Sequence, residues 1–262
     1  MNTWLLATEG GFKSPGPRDF EYPALFGEGT FFTKPMLIVV LGTVLVAVFF
    51  YLASRRAARV PGKLQFVGES AYGFVRNSIA IDSIGKEGLR YVPYLATLFF
   101  FVAVLNISGI VPLLQFPATS KIAIPLFLAV ISCVIFNAIG IKRMGLVGYF
   151  RAMMFPPGIP WPVYILLAPI EFVSTVIIRP LTLTQRLTFN MFAGHLVLLL
   201  FILGGEFLVF DKGGLVGILA GSVSLLGSLV LTFFEGFVQL LQAYVFTLLS
   251  ALYIGGALVD EH

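Results

Sequence analysis

The sequence predicts an all-α integral membrane protein with about five membrane-embedded helices, the last two a long tilted hairpin, plus one interfacial amphipathic helix. Three observations predict it. Of 262 residues, 58% are hydrophobic and 11% charged, against roughly 25% charged in a soluble domain. A soluble fold of this size has too few polar groups here to cover its surface, and 27 Phe residues exclude a disordered chain. The apolar residues gather in runs of membrane-spanning length, and the cations gather at the ends of those runs.

Residues 1–34 are turn-rich, as in Ser14-Pro15-Gly16-Pro17, and read as an extracytoplasmic N-terminal arm. Residues 35–262 form a single membrane domain. The first span covers about residues 35–53 and is followed at once by Arg55, Arg56, Arg59 and Lys63. Cations mark the cytoplasmic side, so the chain begins outside. Residues 63–90 carry charges too often to span. Leu64, Val67, Ala71, Phe74 and Val75 recur at helical spacing, which predicts an amphipathic helix on the cytoplasmic interface.

A second span is expected at about residues 92–114 and a third at about 122–141. The third returns to Lys142, Arg143 and Arg151, a second mark of the inside. The segment 144–162 is rich in Gly and Pro and reads as a loop. Two apolar stretches follow, at about 163–210 and 215–259, joined by a turn at Asp211-Lys212-Gly213-Gly214. Each is about 45 residues, or roughly 65 Å as a helix, about twice an upright crossing. Steeply tilted continuous helices fit better than folded-back pairs. The clearest candidate break is Arg179-Pro180.

Function is carried by the residues that break the apolar rule. Arg179, Thr182, Arg186, Asn190 and Ala193 share one helical face. His195 lies nine positions after Arg186, about 900° of rotation, and points the other way. A charge at mid-bilayer costs at least about 2.5–3.5 kcal/mol, so Arg186 needs a partner or a function. The threonines bond readily to their own backbone, and Glu171 and Glu206 lie near enough to the ends of the stretch to reach the interface. In the last stretch Glu235 is the interior carboxylate, with Gln239 and Gln242 on its face and Thr232 and Ser228 behind it. His195 and Glu235 sit at similar distances from the hairpin turn. A His and a Glu at one depth on adjacent helices make a proton-relay candidate.

Other chemistries find no support. The net charge of +4 and pI of about 9.2 reflect cytoplasmic cations rather than nucleic-acid binding. Cys133 is the sole cysteine, and two His cannot build a usual zinc site, so no metal is expected. Nucleophile elbows and phosphate-cradling loops are absent, so nothing here looks like a hydrolase and no cofactor is expected. Two further readings remain at this point. One is a secondary transporter or ion channel with Arg186 as its substrate site. The other is a membrane scaffold whose polar groups only specify packing.

The segment from Arg179-Pro180 through Arg186-Leu187 and Asn190 to Ala193-Gly194-His195 resembles the signature of subunit a of F-type ATP synthases from bacteria. Asn106-Ile107-Ser108-Gly109-Ile110-Val111-Pro112, Glu235 with Gln239 to Phe246, and the Tyr253 region with Asp260-Glu261-His262 are similar to further pieces of that family, in the same order. Gln185 departs from it, since many members carry an apolar residue there. The resemblance implies a stator subunit of the Fo proton channel, offering two half-channels to a ring of c subunits. Arg186 is then the essential charge facing the ring. Asn190, His195, Glu235, Gln239 and Gln242 line one half-channel, and Arg179, Thr182 and Glu171 are candidates for the other. The implied partners are the c-ring, the b stator stalk, other ATP synthase subunits and membrane lipid. The implied location is the bacterial plasma membrane.

Overall fold

The computed structural model describes residues 12, 14–16, 33–55, 58, 60–111, 114, 116–155 and 161–258. Among these, every regular element is helical. Five segments are long and apolar enough to cross a membrane: Lys34–Ser54, Lys86–Ile107, Ala123–Met144, Val163–Asp211 and Gly214–Leu258. Most of the N-terminal arm, Arg56 and Arg59, Pro112, residues 156–160 and Asp260-Glu261-His262 lie outside the described residues.

Helix α1 (Lys34–Ser54) carries Pro35 in its first turn, where its missing N–H is no loss. It is apolar all round. Val44, Leu45 and Val48 face outward, while Ile38 and Gly42 lie against the bundle. A Cβ at Gly42 would meet Leu105 at 3.1 Å, so the absent side chain sets how closely α1 approaches the next span.

Helix α2 (Lys63–Val75) continues through a π-helical turn, Arg76–Ile81, into the short α3 (Asp82–Ile84). Its faces divide differently from the expected stripe. Leu64, Val67 and Phe74 are exposed. Gln65, Gly68, Val75, Ile79 and Ala80 are buried instead. In lipid, apolar side chains lose nothing by facing outward, so small or hydrogen-bonded residues take the packing face. Gln65 is satisfied there by donating to Ala58 O and Glu69 Oε1, and by accepting from Ala58 N.

The α-helix of the second span starts at Val92, as expected, and ends sooner than expected. A 3₁₀ turn, Lys86–Tyr91, leads into α4 (Val92–Ile107). Helix α4 stops where Ser108 Oγ donates to Leu105 O and Phe116 O, at 2.6 and 2.9 Å. The chain then folds back, and Phe116, Ala118 and Thr119 are at most 1% exposed. Residues 108–120 therefore include a buried return segment, not the end of a span.

Helix α5 (Ala123–Met144) extends a turn beyond its expected end. The expected loop after it contains α6 (Leu146–Met154), which packs against α7 (Trp161–Val173). Tyr149 anchors α6 by filling the space above Gly140. The candidate break at Arg179-Pro180 is a π-helical turn, Ser174–Ile178, leading straight into α8 (Arg179–Phe207). Proline lacks an N–H and its ring crowds the preceding turn; a widened turn accommodates both without ending the helix. The run Val163–Asp211 is thus 49 residues of continuous helix.

A third π turn, Leu208–Lys212, leads to Gly213 and Gly214, with φ of 58° and 73°. Left-handed backbone is cheap only for glycine, so this pair reverses the chain. Helix α9 (Gly214–Leu258) then runs 45 residues without interruption. Helices this long measure roughly 65–75 Å and cannot stand upright across a core of about 30 Å. Near the turn the hairpin closes tightly. A Cβ at Gly221 would lie 2.8 Å from Gly205 O, so the two backbones touch there. The core sits where α4, α5, α8 and α9 cross, around Val102, Leu187, Met191 and Phe246. Phe12 rests on Phe207, ring centroids 5.6 Å apart, at the turn end of the hairpin.

Candidate functional site

Helix α8 has two faces, as its spacing requires. Leu183, Leu187, Met191 and His195 point into the bundle, with exposures of 2%, 0%, 0% and 7%. Thr182, Gln185, Arg186 and Phe189 point out of it. Arg179 and Asn190 are half-buried at the margin. Among the described residues Arg186 makes no hydrogen bond or ion pair; the ion pair found is Arg143–Glu87. A guanidinium thus stands on the outer face of an apolar helix with no internal counter-charge.

On the inner side α8 meets α9. Glu235 is 7% exposed, and its carboxylate occupies the place where a Cβ on Gly194 would be. The glycine immediately before His195 therefore makes room for the acid. Gln239 Nε2 donates to Glu235 Oε1 at 3.3 Å. Gln239 and Gln242 are 1% and 6% exposed, and Gln239 Oε1 and Gln242 Nε2 are buried without a hydrogen-bond partner. Thr188 Oγ1 is in the same condition. Ser228 and Thr232, behind Glu235, donate to their own helix at Leu225 O and Ser228 O.

Three residues join this site beyond those assigned to it from the sequence. Asn106 is fully buried; its Nδ2 donates to the Gln239 carbonyl at 3.0 Å, and its Oδ1 accepts from Thr119 Oγ1 at 2.7 Å. The signal that finds it is the rule applied to Arg186 and Glu235: a polar side chain inside an apolar run has a reason to be there. Thr119 is reached only through the return segment, which local sequence does not announce. Lys34, at the start of α1, lies near enough for its charge to act on His195.

A second polar cluster surrounds Arg179. Its guanidinium lies over the Tyr253 ring, 5.2 Å from the centroid, an arrangement that offsets part of the cation's desolvation. Thr182 Oγ1 donates back to Arg179 O at 2.9 Å. Nearby, Tyr149 OH donates to Asn137 Oδ1 at 2.9 Å, and Asn137 Nδ2 donates to Cys133 O at 2.7 Å. Burial pushes the Tyr149 phenol above its ordinary value, and the Arg179 cation pulls against that shift. Tyr94 OH and Ser132 Oγ are 2.7 Å apart, with Ser250 at 3.5 Å from Ser132. Glu171, half-buried on α7, has no ion pair to Arg179 among the described residues.

The family described as ATP synthase A chain matches residues 36–255. The ATP synthase subunit a of Nocardioides sp. is 47% identical over 266 residues, covering 96% of this chain and 95% of that one. That of Pseudarthrobacter chlorophenolicus is 45% identical over 262 residues, covering 97% and 96%. That of Streptomyces lividans is 44% identical over 256 residues, covering 96% and 90%.

Proposed function

The chain belongs to the ATP synthase A chain family, and on that premise we propose that it is the stator subunit of a proton-translocating Fo motor. It provides two half-channels to a ring of c subunits and couples proton flow to rotary ATP synthesis. Its partners are that ring, the b stalk and the other ATP synthase subunits, and its place is the bacterial plasma membrane. The observation that carries this reading is the exposed Arg186, without an ion pair among the described residues, on the opposite face of α8 from the buried His195 and Glu235. A cation so placed in lipid costs at least about 2.5–3.5 kcal/mol unless a partner outside the chain meets it.

That partner is a carboxylate on each ring subunit. Facing lipid, such a carboxylate stays protonated, because its charged form is expensive there. Beside Arg186 it ionises, because a nearby opposite charge lowers its pKa. A proton arriving from outside passes the Glu235–His195 region and neutralises one carboxylate. Asn106 holds α9 in register at Gln239, and Asn190 lies at the margin between the two faces. The partnerless Gln239 Oε1, Gln242 Nε2 and Thr188 Oγ1 support a water-lined path, since each orphan buried polar atom otherwise costs about 1–3 kcal/mol. Another proton leaves on the far side past Arg179 and Thr182, with Glu171 as a further lining candidate. The membrane potential supplies about 2.3 kcal/mol per charge per 100 mV. Arg186 keeps a proton from passing directly between the half-channels.

A transporter site at Arg186 receives no support, since α8 is unbroken there, whereas such sites favour discontinuous helices. Crosslinking tests the proposal. With Phe189→Cys, on the Arg186 face, an oxidant or short bifunctional reagent should join this subunit to a small two-helix proteolipid carrying a cysteine near its carboxylate. Leu187→Cys, on the buried face, should not react. Equal yields at both positions would refute the assigned rotor face.

A further inference from the structure

At the cationic end of the bundle a cavity of about 660 Å³ opens between the 3₁₀ turn Lys86–Tyr91, the end of α5 and the end of α9. Lys86, Arg90, Lys142 and Arg143 line it, and among the described residues Glu87 is the one carboxylate in the lining. Glu87 is already engaged by Arg143, Nη1 to Oε2 at 2.8 Å. Among the described residues Lys86, Arg90 and Lys142 have no ion-pair partner. Among the described residues, then, about three of the cavity's positive charges have no ion-pair partner.

The positive-inside rule alone accounts for cations at this end of the helices. It does not account for their convergence. Two separate elements bring them to one concave site, whose lining also holds the apolar Leu89, Ile139 and Leu258. Leu89 lines it from the 3₁₀ turn, Ile139 from α5 and Leu258 from the end of α9. Tyr91 also lines the cavity, an aromatic of the kind enriched where proteins meet lipid headgroups. A free anion would use only the cations. A molecule with an anionic head and an apolar body uses both, and the volume suits a headgroup with the first carbons of its chains.

We propose that this cavity binds the phosphodiester headgroup of an anionic phospholipid. Lys86, Arg90 and Lys142 hold the phosphodiester, and Leu89 and Ile139 carry the start of the acyl chains. The bound lipid would brace the cytoplasmic end of α9 against α4 and α5. The site is separate from the proton path, so its failure would leave the assignments of Arg186, His195 and Glu235 untouched, and their failure would leave it untouched.

Lysine reactivity tests the proposal in the intact complex, purified in mild detergent and depleted of lipid. Acylation of Lys86 and Lys142 is followed by mass spectrometry, with Lys63 as an internal reference. Phosphatidylglycerol should slow both lysines at least about 5-fold relative to Lys63, whereas phosphatidylcholine and inorganic phosphate should not. Arg90→Gln with Lys142→Gln should abolish the protection of Lys86. Equal protection by inorganic phosphate would make this a free-phosphate site and overturn the lipid assignment. Protection by neither ligand, or protection retained in the double variant, would overturn the cavity assignment. Protection that needs no added lipid and vanishes in Asp260→Asn/Glu261→Gln would assign the cavity to the chain's own acidic segment.

Discussion

Gly194 is the most sensitive test of whether the position of Glu235, and not merely its presence, matters. A Cβ built on Gly194 lies 2.5 Å from Glu235 Cδ and closer still to Oε2, whereas ordinary contact begins near 3.4 Å. Gly194→Ala therefore requires the carboxylate to retreat by about 1 Å, and its 3.3 Å bond from Gln239 has little slack to absorb the move. The displaced group is the end of a flexible side chain, so the fold should tolerate the change. Alanine also favours helix over glycine by roughly 0.5–1 kcal/mol. No charge is altered. A misplacement of about 1 Å costs on the order of 10²-fold in positioned chemistry, so passive proton flux should fall at least about 10-fold. Flux is measured in membrane vesicles stripped of the ATPase head, with subunit amounts checked by immunoblot. Glu235→Asp shortens the side chain by about 1.5 Å, one carbon–carbon bond, so adding it to Gly194→Ala should recover part of the flux. Normal flux in Gly194→Ala, or no recovery in the double variant, would show that this contact does not control the relay.

Exchanging the relay pair, His195→Glu with Glu235→His, should conduct more than either single substitution, measured as passive flux; a double no better than the worse single would leave the two residues uncoupled. Asn106→Leu removes the bond to Gln239 O and strands Thr119 Oγ1, so it should lower the thermal stability of the assembled subunit, with an energetic cost of about 1–3 kcal/mol. Asn106→Leu with Thr119→Val removes both side-chain partners and should be milder than Asn106→Leu alone. A double variant less stable than Asn106→Leu would contradict that reading of the network.

The spans were legible because each is an uninterrupted apolar run, and because Arg55 and Lys63 after the first and Lys142 and Arg143 after the third mark one side. The two faces of α8 were legible from helical geometry alone. Leu187 and His195 are buried while Arg186 is exposed, as about 100° per residue demands. The return segment was not legible, since α4 ends through Ser108 bonding to Phe116, a contact between residues eight apart that no local pattern encodes. Helix α6 was hidden by the Gly and Pro around it. At Arg179-Pro180 the location of the irregularity was readable but not its form, because proline requires relief from its missing N–H and does not specify whether the helix breaks or widens. Helix α2 shows the limit of amphipathic reasoning in lipid. Of its stripe, Leu64 and Val67 face outward while Val75 is buried, and Gln65 and Gly68 share the packing face with Val75. Asn106 entered only through a motif, and its place in the site became visible once α4 and α9 were seen to touch.

The most direct test of the stator assignment is Arg186→Ala, measured for ATP-driven proton pumping and passive proton flux in the same vesicles. Without the cation an ionised rotor carboxylate has no partner, so pumping should stop. The barrier between the half-channels goes with it, so passive flux should persist or rise. Arg186→Lys should also fail to support coupled ATP synthesis, because lysine keeps the charge but loses the planar, permanently protonated fork. A structural arginine would behave otherwise, since its loss would lower subunit amounts and both activities together. Near-normal pumping by Arg186→Ala at normal subunit amounts would contradict the account.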